Sequence, residues 1–187
     1  LWGDPVIEVE EERAENIILV VMDTLRADRI GVYGAENDTM PFLDRTARRN
    51  VWFETAIAQA PWTLPSHVSL FSSLYPSQHR MYLKHVSMPA DIVLLPEILR
   101  ERGYYTAAFT SIAFISQRYG FERGFSLFNY VRPDAKAHEV VGQARRLLPL
   151  LSSSRKFFLF LHFYDTHTPY YAPWVQYRNM FCKGYKG

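Results

Sequence analysis

Two runs of branched and aromatic apolar residues constrain this chain most: NIILVVMD over residues 16–23 and RKFFLFLHFYD over residues 155–165. Neither alternates with polar residues, so each predicts a strand of a parallel sheet buried on both faces, the first of them central. Parallel strands need helical crossovers, which makes the chain α/β. In open α/β sheets ligands gather beyond the carboxyl ends of the strands, where Asp23 closes the first run ahead of Thr24, Arg26 and Asp28. A hard divalent cation takes oxygen ligands such as Asp23, although a cap on the following TLRAD segment would use the same carboxylate. Within the second run, His162 reads as a satisfied core or supporting histidine rather than a ligand. His167 lies past the run, in a turn fixed by Pro169 among Tyr164, Tyr170 and Tyr171. It is expected to reach the same crevice and donate to an anion or leaving group, a turn histidine without such a role being the plainer reading.

A hydroxyl is placed to join them. In APWTLPSHVSLFSSLYP, residues 60–76, Pro61 and Pro65 bracket Thr63 and predict a helix from residue 63 or 64 to about residue 74. Free amides and the positive end of the helix dipole make such a first turn attractive to sulfate or phosphate, and Thr63 would face the anion's central atom. The same string also suits Thr63 and Ser66 as plain caps of a buried helix.

Elsewhere the organisation is αβ without repeats. Residues 1–15 read as an exposed acidic leader, and residues 40–49 as a helix with Asp38 and Thr39 as capping candidates. A short strand is expected over residues 51–58, a helix over 92–102 closed by Gly103, and a strand over 104–109. Residues 111–133 read as a loop-rich excursion over the site. Residues 135–151 form an amphipathic helix whose Arg145 and Arg146 belong to a solvated face.

With 187 residues, 48% of them hydrophobic and 16% aromatic, the chain can bury one domain's core. A net charge of +2, with basic and acidic residues interspersed, argues against a nucleic-acid partner. One cysteine, Cys182, excludes an internal disulfide and a cysteine-based zinc site. Compartment, membrane association and oligomeric state stay open.

Four blocks, NIILVVMDTLRADRIGVYG, TMPFLDRTARRNVWFETAIAQAPWTLPSHVSLFSSLYPSQH, LLPEILRERGYYTAAF and FLFLHFYDTHTPYYAPW, occur in one order over residues 16–178. Together they resemble the N-terminal part of a sulfatase-family protein of the alkaline-phosphatase-like superfamily. The resemblance implies an alkaline-phosphatase-like α/β fold, a mostly parallel sheet flanked by helices, present as an incomplete N-terminal portion over residues 16–187. It further implies metal-dependent hydrolysis of a small anionic sulfate or phosphate ester. Asp23 matches a ligand of a divalent cation (calcium, magnesium, manganese or zinc), and Thr63 matches the nucleophile, also a metal ligand, at the head of the C-x-P-S-R signature. Pro65 and Ser66 align with its Pro and Ser, His67 takes the place of its Arg, and His167 matches the substrate-contacting histidine of the H-x-P segment. Ser66, His67 and His167 are thus the candidate substrate-binding residues.

The departures carry information too. Sulfatases convert a Cys or Ser to formylglycine, a route the extra methyl of Thr63 blocks, so its hydroxyl would attack directly, as in the superfamily's phosphoesterases and phosphotransferases. His67 replaces a fixed charge with a titratable one. Thr24 stands where many sulfatases have a second Asp, and no Lys-x-His pair follows Thr106. Further metal ligands come, in the superfamily, from a later Asp-His or Asp-Asn segment, whereas no Asp or Glu follows Asp165 here. The expectation is therefore a phosphorus-preferring active site, inactive as this piece alone. A phospho-group transferase and a non-catalytic sulfatase-like binding module are the alternatives.

Overall fold

The apolar runs meet in one sheet. In the computed structural model, which describes residues 16–37, 39–83, 86–151 and 156–168, strand β1 (Ile17–Met22) pairs in parallel with β4 (Phe157–Phe163). β4 pairs in parallel with β2 (Tyr105–Thr110), and β2 with β3 (Leu127–Tyr130), giving the order β1-β4-β2-β3. Among the described residues, helices α1 (Pro41–Ala47), α2 (Thr63–Ser72), α3 (Pro76–His79), α4 (Leu95–Glu101) and α5 (Ala137–Leu151) account for the rest of the regular structure, with three short 3₁₀ turns.

Side chains alternate across a strand, and β4 uses both faces. Phe158 and Phe160 join Ala108 of β2 in a core under α2 and α4, with Leu64, Val68, Phe71, Leu94 and Leu99. Phe157, Leu159 and Leu161 join Ala107 and Phe109 under α5, with Val140 and Ala144. Such two-sided cover explains why β4 reads as a continuous apolar run.

Among the described strands β1 does not lie centrally. It is an edge of the four strands, and Ile18 and Val20 remain exposed. Leu19 and Val21 pack toward α2, but α5 lies over β4 and β2, so among the described residues no helix covers the other face of β1. Nor do residues 51–58 form a strand: they run irregularly, with Val51, Phe53 and Ile57 exposed, because no neighbouring strand offers them a ladder. Thr39 does not cap α1 either; its hydroxyl bonds to Arg29 O, and Met40 holds the cap position. α4 begins at Leu95 rather than Ile92, with Pro96 in its first turn and Glu97 returning a carboxylate bond to Leu94 N. The excursion after β2 contains β3, which sequence reading missed. The leader, Asp38, Pro169, Tyr170, Tyr171 and Cys182 lie outside the described residues. No helix among the described residues is long and apolar enough to cross a membrane.

Candidate active site

Strand phase brings the polar groups together. Asp23 follows β1 in register with Leu19 and Val21, and His162 is in register with Phe158 and Phe160, so both face α2. α2 begins at Thr63, its first helical residue, after the extended Trp62. Its first intrahelical bond runs from Ser66 N to Trp62 O, and Pro65 has no N–H. The amides of Thr63 and Leu64 therefore precede the ladder at the positive end of the helix.

Thr63 Oγ1 donates to Asp23 Oδ2 at 3.0 Å, both residues being buried. Forty positions of sequence separate them. His162 Nε2 lies 3.4 Å from the same Oδ2, and the His67 ring lies against that of His162 at 5.1 Å between centroids. His67 Nδ1 donates to Thr63 O at 2.8 Å, which leaves Nε2 with the lone pair. His67 Nε2 and both ring nitrogens of His162 are buried without a hydrogen-bond partner. His162 is thus a core residue as expected, its Nε2 approaching only the Asp23 carboxylate and its Nδ1 meeting no polar group among the described residues. Ser66 Oγ donates to Thr63 O at 3.1 Å, a local helical bond.

Electrostatics separates these groups. Burial opposes ionisation of Asp23, but the His162 imidazole, the Thr63 hydroxyl and the more distant His67 outweigh it, and the carboxyl sits below its ordinary value of 3.8. Burial foremost, with His162 beside it, pushes His67 down to about 4, against the bond to Thr63 O and the Asp23 charge. At neutral pH it is an uncharged ring, where sequence reading left it titrating near 6.5.

His167 sits in the turn after β4. Its ring stacks on Tyr164 at 4.2 Å, and Nδ1 donates to Thr168 O at 2.6 Å. The preceding residue reaches the site: Thr166 Oγ1 donates to Asp23 O at 2.5 Å, while Thr24 Oγ1 donates to Thr166 O at 3.0 Å. Sequence reading passed over Thr166, which nothing but its place at a strand end distinguishes. Asp165 has a separate task, accepting Ala137 N at 2.8 Å at the start of α5.

For a divalent cation the group fits in kind. Asp23 and Thr63 supply adjacent oxygens, and the unpartnered imidazole nitrogens mark buried polar space. Among the described residues, however, no three His, Cys, Asp or Glu side chains group so as to hold a metal ion.

Comparison with known proteins decides the family: residues 15–186 match the family profile described as Sulfatase. The chain belongs to the sulfatase family. Among curated relatives, the ulvan-active sulfatase of Formosa agariphila is 30% identical over 102 residues, covering 54% of this chain and 20% of its own length. The chain's fold is also that of the phosphonate monoester hydrolase of Agrobacterium radiobacter, with TM-score 0.72 and 18% identity, covering 88% of this chain and 43% of that one. The zinc complex of the C-terminal periplasmic domain of EptC from Escherichia coli gives TM-score 0.69 and 18% identity, covering 92% and 50%. The match with the curated relative thus spans about a fifth of that protein, and the matches with the two structures 43% and 50% of theirs. The fold is alkaline-phosphatase-like, a mostly parallel sheet flanked by helices.

Proposed function

We propose that the protein carrying this chain is a metal-dependent hydrolase of sulfate or phosphate esters with Thr63 as nucleophile. The observation that carries this reading is the buried bond from Thr63 Oγ1 to Asp23 Oδ2 at the first turn of α2. Asp23, anionic at neutral pH, orients the hydroxyl, and the amides of Thr63 and Leu64 face the charged oxygens of the ester. Attack forms a bond from Thr63 Oγ1 to phosphorus or sulfur while its proton passes to Asp23 Oδ2, and breaks the bond from that atom to the ester oxygen, which takes up a proton and leaves as the alcohol. Water then displaces the threonine oxygen. His167, in the turn that Thr166 ties to Asp23, donates to the anion or the leaving alcohol, and Ser66 and His67 shape the wall behind the nucleophile. Asp23 and Thr63 would hold the cation. When bound it supplies charge neutralisation and acidifies the attacking hydroxyl.

Among the described residues Asp23 and Thr63 supply two oxygens, few against the about six that a hard cation takes, so the chain tested alone is expected to turn over no ester. Phosphorus esters are the favoured substrates, because Thr63 cannot become formylglycine and the uncharged His67 adds no positive charge to the site. The test uses the full-length protein. Mass spectrometry of a quenched reaction should place the covalent group on Thr63, Thr63→Ala should abolish turnover, and kcat/KM should rank matched aryl phosphate esters above the aryl sulfate. An adduct on Ser66 would refute the nucleophile, and a preference for the sulfate would refute the substrate class.

A further inference from the structure

The end of β1 is held by more than the sheet ladder. Asp23 N donates to Phe163 O at 2.9 Å, the last rung between β1 and β4. The next residue, Thr24, has φ +58°. A β-branched side chain in the left-handed region is a genuine outlier, sustained only where surrounding bonds over-determine it. Here two such bonds run in opposite directions: Thr24 Oγ1 to Thr166 O, and Thr166 Oγ1 to Asp23 O. Both backbone polar groups of Asp23 are therefore fixed by the β4 segment, and its carboxylate by Thr63.

We propose that Thr24 and Thr166 are positioning residues, a reciprocal hydroxyl-to-carbonyl clasp that aims the Asp23 carboxylate for a divalent cation. Among the described strands β1 lies at the edge, with Ile18 and Val20 exposed, and strand ends with little cover open readily. The clasp removes that freedom at the one residue whose direction matters for binding. The strain at Thr24 is its cost, since the reversal of the chain there brings the hydroxyl back onto Thr166 O. The same pair sets the turn carrying His167 against the end of β1, so the cation ligand and the anion donor share one anchor. This inference rests on the reading of Asp23 as a cation ligand.

Manganese affinity of the full-length protein, read from the free-ion electron paramagnetic resonance signal, tests it alongside thermal unfolding. Thr166→Val keeps the shape without the hydroxyl, and Thr24→Gly removes the hydroxyl while relieving the left-handed strain. Both should weaken manganese binding by about 10- to 100-fold, the usual effect of losing an outer support of a metal ligand. Thr166→Ser should restore wild-type affinity, and Thr24→Gly should lose affinity without a lower Tm, a combination that a merely structural role would not produce. Asp23→Ala separates the two claims. If it leaves manganese binding as in the wild type, the reading of Asp23 falls and the clasp with it. If Asp23→Ala abolishes binding while Thr166→Val and Thr24→Gly bind like the wild type, the clasp alone is overturned.

Discussion

His67 shows how far burial can change what a residue type implies. A histidine four positions after a hydroxyl at the start of a helix invites a role as a positive charge, yet its ring is enclosed and its value is pushed down to about 4. Above pH 6.5 it is neutral in both folded and unfolded chains. Between 6.5 and about 4 the unfolded chain takes up a proton that the folded chain refuses, so stability falls as pH drops through that window, by up to about 3 kcal/mol. Below about 4 this residue adds no further loss. His79, also lowered, chiefly by burial, acts in the same direction, so the informative quantity is a difference. Urea unfolding of wild type and His67→Gln from pH 7 to pH 4 should show a shallower decline in the variant. Equal slopes would mean that His67 titrates normally.

Among the elements, the turn before β3 is the least tolerant of change. Gly124 has φ +80°, and a Cβ there would stand 2.2 Å from Glu97 N, in the first turn of α4. Backbone meets backbone, so neither side can yield. Arg123 next to it bonds the carbonyls of Pro89, Ala90 and Ile92 and pairs with Glu97, while Thr106 Oγ1 holds Gly124 O at 2.6 Å. Gly124→Ala should cost more than about 3 kcal/mol, combining conformational strain with the clash. Gly34, at φ +95° with open space around it, provides the control: Gly34→Ala should cost only about 1–2 kcal/mol in the same denaturation experiment. The elements also show what could be read in advance. β4 and α5 were legible because their apolar spacing matches faces that are covered, and α2 because Pro61 and Pro65 bracket its start. β3 was not, since LFNY is short, half-buried and flanked by turns. Residues 51–58 carry strand-forming side chains but lack a partner, and pairing is a non-local fact that composition does not record. At the site, Asp23 and Thr63 were legible from the ends of their elements. The approach of His162 to Asp23 and the work of Thr166 depend on contacts more than a hundred residues apart in sequence.

For the whole molecule, the sheet divides two cores that share strands but no side chains. Phe71 belongs to the core beneath α2, and Val140 to the core beneath α5. Phe71→Ala should cost about 3–5 kcal/mol, Val140→Ala about 2 kcal/mol, and the double variant their sum to within about 0.5 kcal/mol. A double-mutant cycle by chemical denaturation that shows larger coupling would mean that strain crosses the strands. Asp23, Thr63, His67 and His162 all lie on the α2 side. Substitutions under α5 are therefore free to drift with the demands of folding while the candidate site stays put, which makes that helix the place to engineer hardiness without disturbing that site.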